Sequence, residues 1–424
     1  MKSLLLFVSA QLLFCISASS QTTVAKRQSV SATVYSTQRF NNLDKAMNDW
    51  VQNGWMNGGV GLIMQKGKII YYKSAGYNAA KSQPLSKDDL FRIASQTKAV
   101  TSVAVMMLFD AGKLLLSDPV SNYIPSFKNQ TVLKAFNEKD SSYTTEPVKR
   151  EVTIKDLLTH TSGLGYAQIG SKEANAIYGK NNITAGLGVQ DQTLLGAITR
   201  LGKLPLMHQP GEKWTYGLNS DVLGCLVEII SGQSLSDFFT TRIFKPLGMN
   251  DTYFNVPKEK ASRLVTLYME DSTGKLNPAD SFSWNGPILI NYPLTEHKYF
   301  SGGAGLTSTA YDYALFLQML LNGGELNGQR LLGRNTVRMM TMNQIGDLSL
   351  GDDKFGLGFA IVTEKGSADV PAQVGTFSWG GAFSTSYWVD PKEKLVLLFY
   401  RQMLGGTHNE VVERFRALAY AALN

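Results

Sequence analysis

Cysteine is nearly absent, with two in 424 residues. That excludes a disulfide-stapled scaffold and a cysteine-based zinc site. Cys15 falls in an N-terminal leader, so a processed chain would keep Cys225 alone. Histidine is scarce as well. His160, His208, His297 and His408 are scattered, and none forms an H-E-x-x-H pattern, so no metal is expected. No run of lysine or arginine occurs. The 41 basic and 34 acidic residues leave a formal charge of +7 spread along the chain. This reads as a solvated surface and not as a nucleic-acid-binding face. The G-x-S-x-G elbow is missing, which argues against an α/β-hydrolase. Beyond the leader no stretch is apolar for long enough to span a bilayer. The 39 glycines have no period, which excludes collagen. What is present is 44% hydrophobic residues, enough to bury a large core.

The leader itself has an address. Met1-Lys2 is a short basic start, 4–18 is an apolar run, and Ala18-Ser19-Ser20 supplies small residues before Gln21. This predicts a secretory signal peptide over 1–20, an unstructured tether over 21–36, and a secreted or periplasmic protein. The alternative is an uncleaved anchor. Loss of the first 20 residues removes Lys2 and lowers the charge from +7 to +6.

From residue 37 the pattern is globular. Phe40, Leu43, Met47 and Val51 predict a helix over 37–53. Segments 59–65 and 68–75, split by Lys66-Gly67, predict a hairpin. Segment 95–109 is apolar nearly all round, which predicts a buried helix. Between 113 and 300, short helical stretches (153–159, 191–201, 219–231, 235–241) alternate with loops. A helix over 309–321, strands at 357–363, 384–389 and 395–401, and a helix over 408–422 follow. Strands at both ends with helices between them predict one sheet interrupted by a helical insertion.

Three segments carry chemistry. Ser95-Gln96-Thr97-Lys98 is an S-x-x-K, and i, i+3 spacing on a helix sets the amine beside the hydroxyl. Burial there disfavours an ammonium, and a neutral lysine could take the serine proton. The competing reading is a simple N-cap serine. A second copy, Ser272-Thr273-Gly274-Lys275, lies in a polar stretch and reads as a turn. Pro210-Gly211-Glu212-Lys213-Trp214-Thr215-Tyr216 places a tyrosine before an apolar helix, as a general base or a packed aromatic. Phe377-Ser378-Trp379-Gly380-Gly381-Ala382-Phe383 precedes a strand. Its glycines permit close backbone approach to a ligand, or mark a bulge.

In this order, the three segments resemble the serine β-lactamase-related hydrolases: class C β-lactamases, D-alanyl-D-alanine carboxypeptidases, D-aminopeptidases and family VIII carboxylesterases. The likeness extends to Leu116-Ser-Asp-Pro-Val-Ser-Asn-Tyr-Ile-Pro125, Val152-Thr-Ile-Lys-Asp-Leu-Leu-Thr-His-Thr-Ser-Gly-Leu164, Gly302-Gly-Ala-Gly-Leu-Thr-Ser-Thr-Ala310 and Trp388-Val-Asp-Pro391. It implies an α+β, β-lactamase/transpeptidase-like fold, with an antiparallel sheet flanked by helices. One lobe would take about 37–112 and 300–424, and an inserted helical lobe about 113–299. The resemblance makes Ser95 the nucleophile, Lys98 its proton partner and Tyr216 the general base. The oxyanion would be held by the backbone N–H groups of Ser95 and Ala382, and substrate by Trp379, Gly380 and Gly381. His160 is implied to be structural. No cofactor is implied.

Two departures bear on substrate. Tyr-x-Asn of class C β-lactamases reads Tyr216-Gly217-Leu218 here, with Asn219 one place late, so Asn219 is expected to turn away from substrate. Trp379-Gly380-Gly381 stands where β-lactamases carry Lys-Thr-Gly, so the cation that meets a substrate carboxylate is absent there. Both resemble the esterase branch. The expectation is an exported serine hydrolase of carboxylic esters, acting on a small-molecule or short-peptide acyl substrate. The alternatives are an amidase, D-amino-acid peptidase or β-lactamase of the same mechanism, or a non-catalytic binding module. Acyl transfer to an alcohol or amine, and the oligomeric state, stay open.

Overall fold

The computed structural model describes residues 37–79, 83–183, 186–189, 191–283 and 287–423. The expected signal peptide (1–20) and tether (21–36) lie outside the described residues. Helix α1 (Thr37–Gln52) buries Phe40, Leu43, Met47 and Trp50 along one face. Trp50, not Val51, completes that stripe. Strands β1 (Gly58–Gln65) and β2 (Lys68–Ala79) form the expected hairpin. Its turn is closed by Lys66 and Gly67 at φ 51° and 76°, the positive values a two-residue hairpin turn requires. Strand β3 (Gln83–Pro84) pairs with β2. Helix α2 (Thr97–Asp110) is buried from Thr97 to Leu108.

The middle of the chain contributes α3 (Ile154–Leu158), α4 (Lys172–Lys180), α5 (Leu194–Leu201), α6 (Asn219–Ser231) and α7 (Leu235–Phe239). It is not wholly helical. A ribbon of β4 (Thr131–Phe136) and β5 (Tyr143–Pro147) stands out from it, along with short strands over Tyr268–Glu270 and Leu276–Pro278. Strand β5 is exposed at every residue, so it has no buried face and no apolar alternation to reveal it.

The C-terminal part supplies α8 (Ala310–Leu321), β6 (Lys354–Phe355), β7 (Ala360–Ile361), β8 (Phe377–Gly381), β9 (Thr385–Asp390), β10 (Leu395–Arg401) and α9 (Glu410–Ala421). The strand expected over 357–363 shrinks to Ala360–Ile361, because Gly358 turns the chain at φ 100°. Segment 377–381, read as preceding a strand, is itself a strand. Despite its glycines it pairs with β9, Trp379 opposite Tyr387.

These strands build one antiparallel sheet of order β6-β7-β8-β9-β10-β1-β2-β3. Its centre joins the two chain ends, with Leu62 of β1 opposite Leu398 of β10. Side chains alternate across it. Val60, Leu62 and Met64 face α2 and α8, while Ile63, Leu397 and Phe399 face α1 and α9. Both faces are covered, which is why β10 is buried at every residue.

Candidate active site

Residues Ala94–Gln96 form a 3-10 turn that feeds α2, so Ser95 stands at the entrance of a buried helix. Ser95 is not the cap: Gln96 takes that position without a side-chain cap bond. Three bonds pin the turn. Tyr313 donates to the Gln96 carbonyl (2.7 Å), Tyr400 donates to Gln96 Oε1 (2.6 Å), and the Ile93 N–H donates to the Leu306 carbonyl (3.1 Å).

Helical spacing returns Lys98 to the same side as Ser95. Lys98 Nζ donates to Ser95 Oγ at 3.1 Å and to the Gly303 carbonyl at 2.7 Å, with the residue only 2% exposed. Tyr216, from the loop that opens α6, sets its hydroxyl 2.7 Å from Ser95 Oγ as a donor. Lys98 Nζ lies 4.7 Å from the centre of the Tyr216 ring. All three residues singled out in the sequence therefore meet at one oxygen.

Two supports stand behind this cluster, the first of them unread in the sequence. Asp221, in the first turn of α6, is buried beside this cluster. Ser301 Oγ donates to its Oδ1 at 2.7 Å and the Tyr299 hydroxyl at 3.3 Å. Burial pushes its carboxyl up, opposed by the Ser301 bond and by the charge of Lys98. A methyl on Gly303 would stand 2.5 Å from Asp221 Oδ2 and 3.5 Å from Lys98 Nζ. Glycine is thus required where this backbone meets the lysine. The available signal was an acid in the first turn of a mostly apolar helix. The second support is His160, whose ring centre is 5.2 Å from that of Tyr216. Its Nδ1 pairs with Asn219 Nδ2 at 2.9 Å, and Ser162 Oγ donates to the amide oxygen of Asn219. Burial, then the nearby Lys98 charge, holds His160 well below the usual imidazole range. His160 therefore backs Tyr216 as a neutral ring. Asn219 is fully buried in that network and does not line the cleft, as its position one place late suggested.

Above Ser95 opens a cavity of about 410 Å³. Tyr166, Gln168, Ile169, Leu187 and Tyr216 come from the middle of the chain, and Ala304 from the segment before α8. Trp379, Gly380 and Ala382 close it from β8 and the turn beyond. Among the described residues no charged side chain lines it. Trp379 packs against Tyr216 and Phe355, ring centres 5.6 and 5.4 Å away. Gly381 is not among the lining residues. A Cβ there would lie 2.3 Å from the Ile93 carbonyl, so its glycine lets β8 pass close to the turn that carries Ser95. The second S-x-x-K falls in the exposed turn between Tyr268–Glu270 and Leu276–Pro278. Among the described residues no group of His, Cys, Asp or Glu could hold a metal ion. No single described helix is long and apolar enough to cross a membrane.

A family model described as Beta-lactamase matches residues 43–422. An uncharacterized protein of Mycobacterium tuberculosis is 35% identical over 364 residues, which cover 82% of this chain and 86% of that one. Esterase EstB of Burkholderia gladioli is 29% identical over 393 residues, 89% of this chain and 94% of its own. Among solved structures, EstCE1, a hydrolase with promiscuous acyltransferase activity, matches with a TM-score of 0.77 at 24% identity. That match covers 90% of this chain and 98% of the other.

Proposed function

The chain belongs to the Beta-lactamase family, and from that premise we propose that it is an exported serine hydrolase of carboxylic esters, acting through an acyl group on Ser95. The observation that carries this reading is the convergence of Lys98 Nζ and the Tyr216 hydroxyl on Ser95 Oγ, at the floor of a cavity that no charged side chain lines among the described residues. The likeness to an esterase over nearly the whole chain supports it.

The steps follow from the geometry. The Ser95 proton passes to the Lys98–Tyr216 pair, with Tyr216 as the proposed general base, as Oγ attacks the ester carbonyl carbon. Negative charge grows on the carbonyl oxygen, where the N–H groups of Ser95 and Ala382 would receive it. One such donor is worth about 3 kcal/mol of barrier. The C–O bond to the alcohol then breaks, and Tyr216, beside the leaving oxygen, returns the proton. A water molecule enters, gives its proton along the same path, and attacks the acyl carbon. The acid departs and Ser95 regains its hydrogen. Trp379 offers an apolar wall and no partner for a carboxylate on the acyl side, which favours esters over β-lactams.

The first test is turnover of 4-nitrophenyl butyrate by the wild type and Ser95→Ala, with a chromogenic cephalosporin alongside. Ester turnover is expected to fall by about a thousandfold or more in Ser95→Ala, with the cephalosporin the poorer substrate for the wild type. Equal ester turnover by both proteins would sink the assignment of Ser95. The mass of the recovered protein reads the leader in the same experiment: a chain starting at Gln21 supports export, and one that keeps Met1 argues against it.

A further inference from the structure

A second cavity, of about 440 Å³, adjoins the first across a ridge made by Ile169 and Tyr216, which line both. Its chemistry is different. Lys134 of β4 and Lys213 enter it, together with Ser171, Thr215 and His208. Neither lysine has an ion pair among the described residues, and both are exposed. The one acid in its lining is Glu173. Neighbouring acids are already matched: Glu212 with Lys149 at 2.7 Å, and Glu138 with Lys172 at 3.8 Å. His208 spends both ring nitrogens on the Gln209 carbonyl and Thr215 Oγ1 (2.9 and 2.8 Å). Burial holds it below the usual imidazole range, so it adds no charge at neutral pH. Two cations against one anion leave the cavity with a surplus of one positive charge.

We propose that this second cavity is the leaving-group subsite, and that it takes an alcohol bearing a carboxylate, held by Lys134 and Lys213. The inference rests on the ester-hydrolase reading above. Tyr216 is the group placed to protonate the leaving oxygen, so the alcohol departs on the Tyr216 side of Ser95. The space beyond Tyr216 and Ile169 is this cavity. The acyl group stays in the apolar cavity. Anion recognition would thereby sit on the middle lobe, while Trp379 occupies the sheet position from which a lysine would otherwise provide it.

The test uses two butyrate esters with the same acyl group. One is formed on 3-hydroxybenzoate, the other on its methyl ester, so they differ chiefly in one negative charge. The ratio of kcat/KM, charged over neutral, is read for the wild type, Lys134→Ala/Lys213→Ala and Lys134→Glu/Lys213→Glu. The wild type is expected to prefer the charged ester. The ratio is expected to fall about tenfold in the alanine variant, the worth of two partly solvated ion pairs, and further in the glutamate variant. A wild-type ratio near one, or a ratio that the substitutions leave alone, overturns the subsite. If neither ester is turned over, the ester-hydrolase reading falls by itself. The subsite is then judged by protection of Ser95 from a fluorophosphonate label by 3-hydroxybenzoate. Protection that the glutamate variant loses supports it, and no protection in the wild type overturns it.

Discussion

Ala94, the residue before Ser95, holds φ at 42° with its side chain buried. A non-glycine residue in that region stores strain of about 1–3 kcal/mol, and the bonds from Tyr313, Tyr400 and Leu306 oppose its release. Ser95, the next residue, lines the cavity. At the same scale, Tyr216 can be judged by a single atom. Its hydroxyl bonds Ser95 Oγ, while its ring is held by His160, Tyr166 and Trp379, with centres 5.2–5.6 Å away. Tyr216→Phe is expected to keep the packing and to lower kcat on 4-nitrophenyl butyrate by about 10²–10⁴-fold, the usual worth of a positioned acid–base group. Near-wild-type turnover by a folded Tyr216→Phe would mean that Lys98 moves the proton alone. Ser95, Lys98 and Tyr216 were legible in the sequence because each sits in a short segment of distinctive composition. Asp221 and Gly303 were not, since each matters only through partners 78 to 205 residues away in the chain.

Among the elements, the packing of α9 on the sheet turns on Gly61 of β1. A Cβ at that position would lie 2.6 Å from the Phe415 ring and 3.0 Å from Tyr71. Phe415 stacks at 4.4 Å on Phe399 of β10, so it has little room to withdraw. Gly61→Ala is expected to cost about 1–3 kcal/mol through overpacking, read as a lower midpoint of urea unfolding. An unchanged midpoint would show that α9 can shift without loss. Elements with a strong period were readable: α1 from its stripe, the first hairpin from its turn, and β10 from an unbroken apolar run. The exposed β4–β5 ribbon and the glycine-containing β8 were not. Their pairing comes from neighbouring strands and not from their own residues.

For the whole molecule, buried histidines contribute to the response to acid. Burial first of all holds His160, His208 and His297 below their ordinary value of 6.5. Below pH 6.5 the unfolded chain therefore binds protons that the folded one refuses. Their stability contribution is present above 6.5 and is lost as pH falls toward the folded values. Asp312 acts the other way. Burial pushes its carboxyl up to about 6, so the stability it contributes is present at low pH and is lost as pH rises through about 6. A variant comparison separates the two. Between about pH 7.5 and about pH 5, the fall in urea midpoint is expected to be smaller for His208→Gln than for the wild type. Identical falls would show that His208 takes up its proton in the folded state as readily as in the unfolded chain.

The sequence alone determined the local facts. It set a serine and a lysine one helical turn apart at the mouth of a buried helix, a tyrosine at the start of another, and strands at both ends of the chain. Those follow from periodicities of two and 3.6 residues, which any reader of the chain can count. Only the tertiary structure decided that Tyr216 crosses 121 residues to reach Ser95. It also decided that the Gly303 carbonyl meets Lys98 and that Asp221 stands beside them. It also set Gly381 against the Ile93 carbonyl, and it opened the lysine-lined cavity behind Tyr216. Contacts of that range are selected by which surfaces can be buried together without leaving a polar group unmatched, a condition on the whole assembly that no local window of residues states.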